Sequence, residues 1–540
     1  MTSDADNIVR PVVPSWVAPT GLPDRGLVQR IGATVVPLVL VAVFLTYFAR
    51  PVYGAKSKTP NIVMIMCDDM GWSDIGCYGG EVQTPNLDRL AAEGLRFTQF
   101  YNCAKCTTTR AAIVTGLHPR RKGALLKTNM VTTGEVLAAA GYQTSLSGKW
   151  HLGRGETSHP YRRGFNEYYG LLDGCCNFFN PSIPDPPYKG GRVRFFGHND
   201  QRITEFPEDF YTTDAFTDHA IKQIQTAAAG DKPFFVHVCY TAPHYPLHAK
   251  PEDINKYIGR FNMGWEKMRE QRYRRQIEMG LIDPAVWKLS DRDSRAYDWE
   301  TANHDFEDLR MAVYAAMIDA MDQNIGRLLQ TLKDVGADDN TVVFFLSDNG
   351  GCAEEPGGRD PKQRRPGPQN DYVAVGPAWG WAQNAPFKRY KSWVHEGGIC
   401  TPMIARWPGV IRPNSISTQP GHIIDFMATF VELAEAEYPT KFNGHEIIPL
   451  EGQSLVPILR GETREPHATL AWEWSGNRAI RQGDWKLVWD GRIKAWELYN
   501  LKVDRTETHD LAGEHPDRVT QMSTDWLAWA EKTGAPGGKK

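Results

Sequence analysis

Cysteine is scarce in this chain: nine among 540 residues, too few for a disulfide scaffold. Cys103 and Cys106 form a C-x-x-C and Cys175-Cys176 are adjacent, but no second pair stands at metal-ligand spacing. That gap removes the support a paired-cysteine zinc site would need. Cys67, Cys77, Cys239, Cys352 and Cys400 lie mostly in or beside apolar runs and are expected to be buried thiols. Net charge is also small, −3, so neither nucleic acid nor an anionic membrane surface is indicated as a partner. Two local basic clusters, Arg120-Arg121-Lys122 and the stretch from Arg272 to Arg275, read as solvated surface. No internal repeat and no low-complexity tract interrupts the sequence. What remains is an ordinary globular balance, 41% apolar and 23% charged, in a chain long enough for one large domain and a smaller one.

One long apolar run is present. Ile31 to Ala49 carries no charge and approaches the ~20 residues that span a bilayer. Arg25 and Arg30 precede it, Arg50 follows, and the small residues Gly54-Ala55 lie just beyond. The pattern suits a secretory signal with a long leading region, or an uncleaved signal anchor. Either way the rest of the chain is expected outside the cytoplasm, periplasmic or secreted, with the membrane touched only through this segment.

Residues 1–58 thus read as tail, hydrophobic segment and linker. Beyond them, Asn61 to Cys67, Lys232 to Tyr240 and Asn340 to Leu346 are nearly continuous apolar runs, the mark of strands buried on both faces. Helices are expected from Thr84-Pro85 to near Gly94 with Thr84 as cap, from Thr107 to Val114, from Thr132 to Ala140 and from Leu309 to Val335. A short strand, Gln143 to Leu146, adds to the pattern. The alternation predicts an α/β fold, a large mixed, mostly parallel sheet flanked by helices, over residues 59–440. Residues 250–300 are highly charged and read as an excursion over the surface. Residues 355–385, rich in Gly and Pro, read as a long loop. Residues 441–540 carry four short strands and a closing helix, a smaller antiparallel sheet plus helix.

Two of the buried runs end alike. One runs into Asp68-Asp69, the other into Ser347-Asp348-Asn349-Gly350. Taken singly, D-D or D-N-G is common turn chemistry. At the carboxyl ends of two buried strands, where α/β sheets bind ligands, Asp68, Asp69, Asp348 and Asn349 become a candidate oxygen site for a hard cation. Calcium tolerates such an irregular set better than magnesium. Cys106 falls at a helix N-terminus, which favours an anion, and Arg110 lies one turn inside.

The stretch Cys106-Thr-Thr-Thr-Arg110-Ala-Ala-Ile-Val-Thr115-Gly116 resembles the sulfatase signature C-x-P-S-R-x-x-x-x-T-G, with Thr108 and Thr109 at its proline and serine positions. Other segments are similar to that family in the same order: Asn61 to Trp72, Thr84 to Asp88, Arg96 to Tyr101, Gly148 to Gly153, Ala242 to Pro246, Ser347 to Gly350, Tyr390 to Gly398, and the strands around Gly483 to Lys486. The resemblance spans about residues 59 to 530 and is nearest to the bacterial arylsulfatase branch of the alkaline phosphatase superfamily. It implies that a formylglycine-generating enzyme converts Cys106 to an aldehyde, whose hydrate attacks sulfur and releases an alcohol or phenol. It implies one calcium ion on Asp68, Asp69, Cys106, Asp348 and Asn349. Arg110 and Lys149 would hold the hydrate, His151 would act as base, and Lys391 and His244 would bind the sulfate, His244 protonating the leaving oxygen. His248 and His395 are substrate-contact candidates; His422 and Asp425 read as structural. The implied partner is a sulfated small molecule or glycan. Two alternatives stand beside this reading: a phosphate mono- or diesterase of the same superfamily, and a non-catalytic sulfated-glycan binder in which Cys106 stays a thiol.

Overall fold

The computed structural model describes residues 59–119 and 125–537. The segment 31–49, the rest of the leading tail and Arg120-Arg121-Lys122 lie outside the described residues. Among the described residues, no helix is long and apolar enough to cross a membrane.

The strand Asn61–Cys67 sits between Phe234–Cys239 and Thr341–Ser347, parallel to both. Its side chains alternate between two cores. Val63, Ile65 and Cys67 enter one, with the helices Thr212–Ala228 and His304–Asp334; Ile62, Met64 and Met66 enter the other, with Ala112, Phe426 and Phe430. This two-sided burial is why the run is apolar at every position rather than at every second one. Ten strands make up the sheet, in the order Ser415–Ser417, Leu95–Phe97, Met403–Arg406, Thr341–Ser347, Asn61–Cys67, Phe234–Cys239, Gln143–Gly148, Glu167–Leu171, Phe196–His198, Gln201–Ile203. The five central strands, Thr341–Ser347 through Glu167–Leu171, are parallel; antiparallel pairings flank them. The expected mixed, mostly parallel sheet is therefore present. So is the small antiparallel sheet, Leu470–Trp474, Asn477–Gln482, Trp485–Asp490 and Ala495–Asn500, covered by the helix Pro516–Thr533 through Met522 and Trp526. All nine cysteines are buried and unpaired.

Four parallel strands deliver residues to one sheet edge. Asp68 and Asp69 follow Asn61–Cys67, Lys149 and His151 follow Gln143–Gly148, His244 follows Phe234–Cys239, and Asp348 and Asn349 follow Thr341–Ser347. That is the ligand-binding edge of an α/β sheet.

Three local expectations need correction. Thr84 occupies the N-cap of Pro85–Ala92, but its hydroxyl donates to Asp88 and accepts from the Gly76 amide, so it caps nothing. Residues 250–300 are not a surface excursion. They hold the helix Gly264–Glu278, on which Trp265, Met268, Arg269, Arg272 and Gln276 are buried. Arg272, read as solvated, donates to Asp74 at 2.6 Å and Glu81 at 2.5 Å with no exposed surface. Charge density misleads here because composition does not reveal pairing. Arg272→Ala leaves the buried Asp74 without its cation, while Glu81 keeps Arg275 at 3.1 Å, and is expected to cost about 3–5 kcal/mol, read from the denaturant midpoint. An unmoved midpoint would show the pair to be dispensable. Finally, the 355–385 loop contains the helix Gly376–Ala382, buried throughout.

Candidate active site

The acidic edge is almost closed to solvent: Asp68, Asp348 and Asn349 are 0% exposed and Asp69 is 1% exposed. Asp69 takes a left-handed φ of 66°, which aspartate tolerates better than most residues and which turns the chain sharply at the strand end. Gly350 is required by close approach, since a Cβ there would meet the Gly397 carbonyl at 2.0 Å. That contact brings the Lys391 segment against the end of Thr341–Ser347. Asn349 Nδ2 donates to Asp69 Oδ1 at 2.7 Å. Asn349 Oδ1 and Asp68 Oδ1 are then left buried with no hydrogen-bond partner. An orphaned buried acceptor costs about 1–3 kcal/mol, so two of them on this acidic edge, both oxygens, fit a hard cation, and only an Arg110 nitrogen 3.8 Å from Asp68 Oδ1 offsets the first. Burial and the neighbouring Asp348 also push the Asp68 carboxyl up to about 8, although Lys149 and Arg110 oppose this. A cation at this edge would relieve that repulsion.

Cys106 is the first residue of the helix Cys106–Thr115, which closes on Gly116. Thr109 Oγ1 accepts from the Cys103 amide at 3.0 Å, and Thr108 Oγ1 donates to Cys103 O at 2.7 Å. The two hydroxyls fix the turn that presents Cys106. One ligand atom each of Asp68, Cys106 and Asp348 lies within 4.8 Å of the others, and Asp68, Asp69 and His244 form a second such group. Burial pushes the Cys106 thiol up, against the pull of Lys149 and Lys391. As a plain thiol it is therefore a poor source of thiolate.

Cations surround this point. Arg110 donates to Asp348 Oδ2 through Nε at 3.1 Å and through a terminal nitrogen at 2.9 Å, and to Lys149 O at 2.7 Å. Lys149 Nζ donates to Asp68 Oδ2 at 2.5 Å, and Lys391 Nζ to Asp69 Oδ2 at 2.6 Å. Burial alone would raise the Asp69 carboxyl; Lys391 and His244 instead hold it well below the usual carboxylate range. His244 Nδ1 lies 2.5 Å from Tyr245 O, which assigns the proton to Nδ1, and its Nε2 lies 3.4 Å from Asp69 Oδ2. His151 Nδ1 is 3.5 Å from Cys106 Sγ. Burial, then Lys149 and Arg110, hold His151 well below its ordinary value, so the ring is neutral and able to accept a proton.

His151 depends on a gap in the facing loop. A Cβ on Gly174 would stand 2.5 Å from His151 Cε1. Gly174→Ala is expected to displace the ring and lower kcat by about 10²-fold, with KM changed much less. Steady-state kinetics on a variant with unchanged circular dichroism checks this. Wild-type kcat would remove His151 from the reaction.

The sequence candidates Asp68, Asp69, Cys106, Arg110, Lys149, His151, His244, Asp348, Asn349 and Lys391 are thus brought together. Two others are not. His248 donates from Nε2 to Asp371 O at 2.7 Å and accepts at Nδ1 from the Phe178 amide at 3.3 Å, so both nitrogens are spent on backbone. His395 is buried against Glu497 at 2.6 Å. Asp425 binds the His422 amide, Arg464 and His467, a local brace. Sequence reasoning missed Glu354, which accepts from Lys105 at 2.6 Å and Tyr245 at 2.5 Å and lies 3.9 Å from Lys391. Its only sequence signals were position, a few residues past Asn349, and the lysine immediately before Cys106.

An anion-attracting helix start, a ring of buried cations and an oxygen-lined cation edge define a hydrolase of anionic esters. Comparison with known proteins narrows the class. The Sulfatase family model matches residues 60–436, and a model of the C-terminal part of N-sulphoglucosamine sulphohydrolase matches residues 387–527. An arylsulfatase of Klebsiella aerogenes is 31% identical over 77% of this chain and 96% of its own length. An uncharacterised sulfatase of Schizosaccharomyces pombe is 33% identical over 89% and 95% of the two chains. The crystal structure of Ps i-CgsB in complex with k-i-k-neocarrahexaose superposes with a TM-score of 0.65 at 26% identity, covering 89% of this chain and 94% of that one. The chain belongs to the sulfatase family and is a sulfuric ester hydrolase.

Proposed function

We propose that this enzyme hydrolyses sulfate esters, of the arylsulfatase type or on a glycan, through a formylglycine derived from Cys106 and with one calcium ion. The observation that carries this reading is the pair of buried oxygens without a hydrogen bond, Asp68 Oδ1 and Asn349 Oδ1, on the same acidic edge as Cys106, whose thiol is held protonated. Asp68, Asp69, Asp348 and Asn349 would hold the calcium, with the modified Cys106 at the same point. The bound ion supplies positive charge for the sulfuryl oxygens and acidifies a hydroxyl at that point. The aldehyde hydrate supplies two hydroxyls on one carbon, one to attack sulfur and one to be deprotonated afterwards.

The chain's own groups do the rest. Arg110 and Lys149, pinned by Asp348 and Asp68, fix residue 106 and offset the acidic edge. Lys391 and His244 bind the sulfate oxygens, and His244, once doubly protonated beside Asp69 and the anionic ester, gives its Nε2 proton to the leaving oxygen. His151 Nδ1, 3.5 Å from the residue 106 side chain, takes up the proton there. The enzyme works outside the cytoplasm, with residues 31–49 as signal or anchor, and meets a formylglycine-generating enzyme during maturation. The arylsulfatase of Klebsiella aerogenes, and an N-acetylgalactosamine-6-sulfatase of Homo sapiens that is 29% identical over 79% of this chain and 74% of its own length, support a sulfated aromatic or sugar substrate.

Peptide mass spectrometry on protein from its native host, run with a panel of arylsulfates and sulfated glycans, tests the proposal. The expected result is the mass loss of thiol-to-aldehyde conversion at Cys106 together with sulfate release. An unmodified thiol with no turnover of any sulfate ester would overturn it, as would turnover of phosphate esters alone.

A further inference from the structure

A second set of metal-ligand side chains, none of them among the catalytic candidates, lies on two adjacent strands of the large sheet and a helix packed on them. Glu167 opens the strand Glu167–Leu171, His198 ends Phe196–His198, and His219 stands on the helix Thr212–Ala228. Alternate strand residues share a face, so Glu167 and Tyr169 point the same way, and Tyr169 is the register partner of His198. The helix covers that face: Tyr169 stacks on the His219 ring at 5.2 Å, and the His198 and His219 rings are 5.8 Å apart. One ligand atom from each of Glu167, His198 and His219 lies within 4.8 Å of the others. His198 Nε2 and Glu167 Oε2 are 3.3 Å apart. Two ligands of a tetrahedral zinc, each bonded at about 2.1 Å, stand about 3.4 Å apart.

The surrounding groups prepare the ligands. His219 Nδ1 lies 2.7 Å from the buried Ser147 Oγ. Donation from Nδ1–H to Ser147 leaves the Nε2 lone pair outward, the arrangement in which metal-binding histidines are oriented by a partner on the other nitrogen. Gln223, one turn along the helix, has its Nε2 at 3.3 Å from His219 Nε2, so that lone pair already accepts a weak bond that a cation would replace. Asn199 Nδ2 donates to Glu167 Oε2 at 3.2 Å and steadies the carboxylate. Glu167 and His198 side chains are 34% and 49% exposed, which leaves an entry path and room for water.

We propose that Glu167, His198 and His219 bind one Zn²⁺ ion, with water in the fourth position, and that the ion fastens the 196–203 hairpin at the sheet edge to the helix Thr212–Ala228. The test uses the full chain, stripped with chelator and then saturated with calcium, titrated with zinc chloride in a calorimeter. One zinc per chain is expected. His198→Ala and Glu167→Gln, changed at partly exposed positions, should each weaken it about 10- to 100-fold. Cobalt(II) in place of zinc should give the intense visible absorption of a tetrahedral site in the wild type and lose it in His198→Ala. Failure of the wild type to take up zinc overturns the proposal. So does zinc uptake, or a cobalt spectrum, that both variants retain unchanged, because the ion then sits elsewhere. No readout depends on sulfate-ester turnover, so the result stands apart from the reading of the active site.

Discussion

Replacing Cys106 with alanine is expected to reduce kcat for an arylsulfate by on the order of 10⁴-fold or more, with the fold intact. The size follows from losing the nucleophile itself, a class of change that removes most of an enzyme's rate enhancement. The fold should survive because Cys106 packs no large side chain and the turn before it is held by Thr108 and Thr109. Cys106→Ser separates two possibilities. A serine keeps one hydroxyl at the helix start but cannot carry two on one carbon, so it should fall nearly as far as alanine under multiple-turnover conditions. If Cys106→Ser instead matched the wild type, a single hydroxyl would suffice and the formylglycine proposal would fail. Melting temperatures of both variants within a few degrees of wild type would confirm that chemistry, not folding, was lost.

The second large effect is expected at Asp348. Its carboxylate accepts two bonds from Arg110, faces the Asp69 amide at 3.2 Å, and stands in the proposed cation set. Asp348→Ala leaves Arg110 buried without its main partner, a loss of about 3–5 kcal/mol for a broken buried pair. It also removes a proposed calcium ligand, so activity should vanish even where the protein remains folded. Calcium titration against thermal stability distinguishes the two. Wild-type protein stripped by chelator should regain activity and melting temperature on adding calcium, because a ligand that binds only the folded state stabilises it. Asp348→Ala should respond to neither. A stripped wild-type enzyme that kept full activity would refute the metal assignment.

The parts of this molecule that could be read from sequence share a physical cause. Past its first residue, Asn61, the strand Asn61–Cys67 carries no polar side chain because neither face meets solvent, and its end is marked by the abrupt arrival of Asp68-Asp69. The acidic edge was therefore visible as a change of composition at a boundary. The basic partners were visible only through the family resemblance, since Lys149 and Lys391 look like surface residues one at a time. Buried pairing was illegible: Arg269 and Arg272 sit in a charged stretch, and only the fold shows the carbonyls and carboxylates that receive them. His395 misled for the opposite reason. It follows Lys391 closely, but the left-handed turn at Ser392 redirects the chain, and the ring goes to Glu497.

The residue after His395 has wider reach. Glu396 accepts from Lys486 at 2.6 Å and is bridged by Arg505, while Lys486 also binds Glu507 at 2.8 Å, and none of these groups meets solvent. Lys486 and Arg505 come from the small C-terminal sheet and the segment after it; Glu396 sits five residues beyond the proposed sulfate-binding Lys391. The two sheets are therefore not exchangeable modules. A chimaera that took its C-terminal region from a distant homologue would need to inherit Glu396, Lys486, Arg505 and Glu507 as a set. Otherwise an unmatched charge would be sealed beneath the loop that aims Lys391, and the graft would fail at the catalytic edge rather than at its own seam.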